Sequence, residues 1–188
     1  MIFKRICMNK NHVSVIENQD IKIKKIPHTD TSLLYQLRLE SLEKDSFAFG
    51  VEKADQEKIG KKNFAKILVQ ESANDVLWGA YWHDMLVGMI GLTREQGLKK
   101  KHKATIWGLY VKHEFRGLKI SSRLIDMAID HAKNHLELKS LMLTTEAYNQ
   151  TALKLYESRG FVMWGIEPES LLIDGVYHDQ GYMSLNLN

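Results

Sequence analysis

The sequence predicts an α+β (mixed α/β) fold in a single domain, and three observations carry that prediction. Strand-like alternation and helix-like spacing interleave from Ile21 to Leu187. A long apolar run in the middle of that order reads as a hairpin. The length, 188 residues, suits one domain with a real core and falls short of two. Hydrophobic residues at 44% and charged residues at 26% give an ordinary globular balance, which excludes a disordered or fibrous chain.

Element by element, IKIKKI (Ile21 to Ile26) alternates apolar and basic residues as a half-buried strand does, and Pro27 ends it. Asp30 or Thr31 then caps a helix whose Leu33, Leu34, Leu37 and Leu42 recur at helical spacing, with Arg38 and Glu40 facing outward or toward a cleft. A second helix is expected from Asp55 to Gln70, placing Ile59, Phe64, Ile67 and Leu68 on one face and lysines on the solvated rest. VLWGAYWHDMLVGMIGL reads as two strands, Val76 to Trp82 and Met85 to Thr93, around His83 and Asp84. EQGLKKKHK is a solvated basic loop, and ATIWGLYV (Ala104 to Val111) is a strand. A helix from Ile120 to about Leu136, a buried strand LMLTT, and a helix from Asn149 to Gly160 follow. FVMWGI and GYMSLNL close the chain as two strands flanking IDGVYHD, where His178 and Asp179 are expected to shape a turn.

Several function classes fall away. The net charge of +3 suits an anionic ligand without demanding nucleic acid, so no nucleic-acid partner is expected. The apolar run from Val76 to Leu92 is broken by His83 and Asp84 and carries Gly79, Gly88 and Gly91, which rules out a clean membrane span. No membrane partner is expected either. One cysteine, Cys7, cannot form an intramolecular disulfide and reads as a small apolar residue in a cytoplasmic protein. The eight histidines have no cysteine company, since the chain's one cysteine is Cys7, so no metal is expected. Residues 1–20 have no apolar block of secretory length and read as an N-terminal extension or an added edge strand before a domain over 21–188.

Two strand-to-helix junctions carry the chemistry. Each presents unpaired backbone N–H groups and a positive dipole end, and both fall at the same edge of a sheet. In FRGLKISSRL, Arg116 and Gly117 precede a helix, so the loop can wrap N–H groups around a phosphate while Arg116 supports the turn or the charge. At the second junction Asn149 is the N-cap, and Ala152 and Tyr156 follow on its helical face. A small residue, an amide and a phenol in one row suit a long, thin ligand bearing a pyrophosphate.

ATIWGLYVKHEFRGLKISSRLI followed by NQTALKLYESRGF resembles the GNAT superfamily of acyl-CoA-dependent N-acetyltransferases. The second segment matches N-x-x-A-x-x-L-Y-x-x-x-G-F at Asn149, Ala152, Leu155, Tyr156, Gly160 and Phe161. The first matches R-x-x-G-x-G/A only in part, since Lys119 and Ser121 stand at the two small-residue positions. The resemblance implies a mixed, mostly antiparallel central sheet, flanked by helices and splayed open, with acetyl-CoA as co-substrate wedged in the gap. By position, Leu109, Tyr110 and Val111 would bond the pantetheine arm through their backbone, and Arg116, Gly117, Leu118, Lys119, Ile120, Ser121 and Ser122 would wrap the pyrophosphate. Asn149 and Ala152 would border the pantetheine, and Tyr156 would stand beside the thioester sulfur as the general acid.

The oxyanion donor implied is the N–H of Leu109. Where many relatives place a carboxylate, this chain has Trp107; Glu146 is the nearest acid by sequence, read either as the base or as a partner of a helix N-terminus, with a water relay as the other option. The resemblance implies acetyl transfer to a primary amine of a small molecule or protein and leaves a homodimer open. The reading from a different class is a non-catalytic acyl-CoA sensor of the same fold, motivated by the absent acid and the replaced glycines.

Overall fold

The computed structural model describes residues 3–9, 12–70 and 74–187. Strands β1 (Lys4–Asn9) and β2 (His12–Glu17) pair with each other as a separate antiparallel sheet. Then come β3 (Ile21–Lys25), α1 (Thr31–Lys44), α2 (Lys53–Ile59), α3 (Lys62–Gln70), β4 (Asp75–Trp82), β5 (Met85–Arg94) and β6 (Lys103–Val111). The order finishes with α4 (Ile120–Asn134), β7 (Ser140–Glu146), α5 (Gln150–Glu157), β8 (Val162–Ile173) and β9 (Val176–Asn186). Cys7 lies on β1, but its side chain is outside the described ones.

Seven strands form the main sheet in the order β3-β4-β5-β6-β7-β9-β8. Neighbours run antiparallel except β6 and β7, which are parallel because α4 carries the chain across between them. On one face α4 and α5 bury Leu124, Ile125, Ala128, Leu153 and Tyr156 against Val87, Ile90 and Leu92. On the other, α1 and α3 bury Leu34, Leu37, Phe64 and Leu68 against Leu77, Tyr81 and Met89. Two covered faces account for the nearly unbroken apolar character of β4 and β5. No helix among the described residues is long and apolar enough to cross a membrane.

The parallel pair is short. Lys103–Thr105 pair with Ser140–Met142, and beyond that point β6 and β7 diverge. The β5–β6 ladder is also irregular there: Gly91 faces Trp107 and Met89 faces Tyr110, so Gly108 and Leu109 together oppose Ile90. Gly108 takes φ +67°, the left-handed backbone such a bulge favours. The sheet therefore opens between β6 and β7 with a bulge on one lip.

Two sequence expectations are corrected. The single helix over 55–70 is two helices, because Gly60 takes φ +67° and ends α2; Ile59 consequently turns to solvent at 49% exposure. His178 and Asp179 are strand residues of β9, not turn residues. The turn is made by Asp174 (φ 50°) and Gly175 (φ 80°), the two left-handed positions of a tight hairpin, which lets β8 run on through Glu167-Pro168-Glu169 by way of a register shift.

Candidate active site

The divergence of β6 and β7 leaves a cleft of about 790 Å³. One wall is the far half of β6 and another is the start of α4. One face of α5 and β7 close the third side, and α1 with the segment 47–51 covers the opening. Leu109, Tyr110, Val111, Arg116, Gly117, Lys119, Ile120, Ser121, Ser122, Asn149, Ala152 and Tyr156 all line it. Leu118 does not; it is 0% exposed and belongs to the core beneath the loop.

At the α4 junction, Gly117 takes φ +85° and Lys119 a left-handed φ of 56°. That conformation costs a side-chain-bearing residue roughly 1–2 kcal/mol, and it is the position where the partial motif asks for glycine. The lysine ammonium lies over the Phe3 ring, 4.3 Å from its centroid, and so reaches toward the N-terminal segment. The first backbone hydrogen bond of the helix runs from Arg123 N–H to Lys119 O at 3.1 Å. The N–H groups of Ile120, Ser121 and Ser122 thus have no intrahelical acceptor, and these residues border the cleft. Arg116 is occupied: its Nε donates to Val111 O at 3.1 Å, and its guanidinium pairs with Asp45 at the end of α1. His113 Nε2 lies 3.0 Å from the other oxygen of Asp45.

At the α5 junction, Asn149 caps the helix, its Oδ1 accepting from Ala152 N–H at 3.1 Å. Tyr156 follows two turns on, 8% exposed, with its ring edge-on to Phe161 at 5.9 Å. Burial pushes its phenol up to about 12. Glu146 ends β7 but does not line the cleft; its Oε2 accepts from Tyr148 N–H at 3.1 Å. Among the described residues, Asp45 is the carboxylate in the cleft lining, and it is shared by Arg116 and His113.

On β6, Trp107 borders the cleft, and its Nε1 donates to Thr93 Oγ1 at 3.0 Å. Its indole lies flat across Gly91, where a Cβ would come within 2.3 Å of Trp107 Cε2. Tyr110 donates to Glu40 at 3.1 Å, and Lys112 pairs with the other oxygen of Glu40. These contacts lock α1 onto β6. Sequence reading missed the double use of Asp45 and the place of Gln180 in the cleft wall, since neither residue sits in a local pattern that marks it.

Comparison with known proteins adds the following. The profile of the acetyltransferase (GNAT) family matches residues 35–161. YwnH of Bacillus subtilis is 35% identical over 71 residues, covering 38% of this chain and 43% of that one. Spermidine N(1)-acetyltransferase of Vibrio cholerae is 29% identical over 96 residues, covering 51% and 56%. The chain spans about half the length of these curated relatives. The structure of yncA from Salmonella typhimurium with its cofactor acetyl-CoA shares the fold at a TM-score of 0.78 and 14% identity, covering 89% of this chain and 94% of that one.

Proposed function

The chain belongs to the acetyltransferase (GNAT) family, and we propose that its cleft binds acetyl-CoA and that the protein transfers the acetyl group to a primary amine by direct attack in a ternary complex. The observation that carries this reading is the opening between β6 and β7, where the free N–H groups at the start of α4 and the Tyr156 phenol share one cleft. The acetyl-CoA held by yncA in the same fold supports it.

The residues fit that ligand. Gly117 to Ser122 offer N–H donors at a helix N-terminus, which suits a pyrophosphate. Leu109, Tyr110 and Val111 border the gap as a strand lip unpaired on its β7 side, which suits an extended amide-bearing arm adding to it. Asn149 has its Oδ1 engaged, so its amide NH₂ is the group left to donate. The bound co-substrate supplies an acyl thioester. In this reading the Leu109 N–H, released by the bulge, stabilises the charge that develops on the thioester oxygen, and Tyr156 donates to the departing sulfur.

Transfer forms the nitrogen–carbon bond, breaks carbon–sulfur, and moves one proton from the amine to the sulfur. Glu146 bonds its own turn and Asp45 is shared by Arg116 and His113, so we assign the amine's proton to water, which returns a proton to the Tyr156 phenolate left when the sulfur is protonated. An α-amine, with a pKa of about 7.7–8.0, suits that arrangement better than a lysine-like amine near 10.4. A cytoplasmic setting belongs to the same proposal. So does a homodimer, for which the exposed Val162, Trp164, Ile166, Val176 and Tyr177 of the β8–β9 hairpin offer apolar surface.

The second reading, an acyl-CoA sensor, keeps one point in its favour: Trp107 stands where the family resemblance implies an acid in many relatives. Thiol release from acetyl-CoA across a panel of amines separates the two. Turnover with any amine supports the transferase; tight acetyl-CoA binding with no turnover across the panel favours the sensor.

A further inference from the structure

Helix α1 turns Leu34, Leu37, Arg38, Ser41 and Leu42 into the protein. These are the i, i+3, i+4, i+7 and i+8 positions of one helical face, where apolar side chains belong. Yet a guanidinium sits in the middle of the row. Arg38 is only 7% exposed, and it borders the cleft. Its Nη1 is buried without an acceptor among the described residues. What it does have is a ring contact, Cζ lying 4.6 Å from the centroid of Phe49 in the segment that covers the opening. Desolvation lowers its pKa to about 10, which still leaves it cationic at neutral pH.

A buried cation is costly unless an anion compensates it. The acids of its own helix and caps are all committed elsewhere. Asp30 accepts from Tyr81, Glu40 from Tyr110 and Lys112, Glu43 from Lys53, and Asp45 from Arg116 with His113 beside it. The pyrophosphate proposed at α4 is not the missing partner. Asp45, which meets the α4 loop, lies seven residues further along α1, roughly 10 Å away at 1.5 Å per residue.

We propose that Arg38 anchors a carboxylate or similar oxyanion of the acceptor, so that the amine acetylated belongs to a small anionic molecule of the amino-acid class. This deepens, and rests on, the acetyltransferase reading. A polyamine is disfavoured by the same geometry, because an uncompensated buried cation repels a cationic acceptor. The phenyl ring of Phe49 covers the guanidinium carbon, and the unpartnered Nη1 is a donor left for an oxyanion.

The test is equilibrium titration of the protein, free and saturated with CoA, by a series of N-acetyl amino acids and their uncharged N-methylamides. At least one carboxylate is expected to bind on the order of a hundredfold more tightly than its amide. Arg38→Met abolishes that preference, leaves CoA affinity unchanged, and raises the melting temperature of the free protein by removing an unpaired buried charge. Amides binding as well as carboxylates, or no member binding, overturns the proposal. So does a variant that loses CoA affinity, or one whose melting temperature falls while any carboxylate preference persists. Thiol release with neutral amines and none with their carboxylated counterparts overturns the anchor and leaves the transferase standing. Failure of CoA to bind defeats the transferase reading instead, and the titration of the free protein still decides Arg38.

Discussion

A phenol pushed up to about 12 by burial keeps its proton over the whole range in which the protein works, so Tyr156 is confined to donating. Proton donation to a leaving group contributes on the order of 10²-fold or more, and that sets the scale for its removal. Tyr156→Phe is expected to lower turnover by about that factor while acetyl-CoA affinity stays within about twofold, the pattern of an interaction made only in the transition state. Steady-state kinetics beside a binding titration reads both; unchanged turnover removes the acid assignment. The rate should rise with pH as the amine loses its proton, with no fall near 10, where an ordinary phenol ionises. Glu146→Gln retains turnover within about threefold in the same assay, since its carboxylate bonds the Tyr148 amide.

At the scale of elements, β5 and β6 shape the cleft through one close approach. Gly91 leaves room for the Trp107 indole, and the bulge at Gly108 and Leu109 follows directly on that strand. Gly91→Ala would place a Cβ within 2.3 Å of the indole, between ladder neighbours that cannot move apart. Overpacking of this kind costs roughly 1–3 kcal/mol. Urea unfolding is expected to show that loss, together with weaker acetyl-CoA binding as the cleft wall shifts. Full stability in the variant would mean that the indole has another place to go.

Over the whole molecule, three buried phenols tie stability to alkaline pH. Tyr81 and Tyr110 are raised above the usual tyrosine value by desolvation first and by their acceptors Asp30 and Glu40 second, and Tyr156 by desolvation alone. In each case the folded state holds its proton longer than the unfolded chain does. Stability is therefore fully present below about pH 10 and lost as pH climbs through the folded values, at roughly 1.4 kcal/mol per pH unit for each group ionised only when unfolded. Denaturant midpoints measured from pH 8 to 11.5 should be flat to about 10 and then fall steeply. Tyr81→Phe should blunt that fall. A flat profile throughout would show that these phenols ionise without unfolding.

The order of strands and helices was legible in the sequence because periodicity, caps and breakers act over a few residues: Pro27 ends a strand, Asn149 caps α5, and N-x-x-A-x-x-L-Y lies within two helical turns. Gly60 and the Asp174-Gly175 turn were also written there, as left-handed positions between apolar runs, but were read past. Other features were not legible at all. Whether β6 and β7 part after Thr105 depends on long-range packing that no short stretch records. Glu146 could be a base or a helix N-terminus partner by its place in the chain, and its carboxylate accepts from the Tyr148 N–H of its own turn. Arg38, beside a leucine row, could face solvent or a cleft, and that its neighbouring acids are taken shows only once Glu40 meets Lys112 and Asp45 meets Arg116, partners about 70 residues away. By itself the sequence determined the elements, their order and the family pattern, all short-range properties of the chain. Only the tertiary structure decided which charges cancel, because neutralisation is set by distance through space, and among the described residues it left Arg38 Nη1 buried without an acceptor.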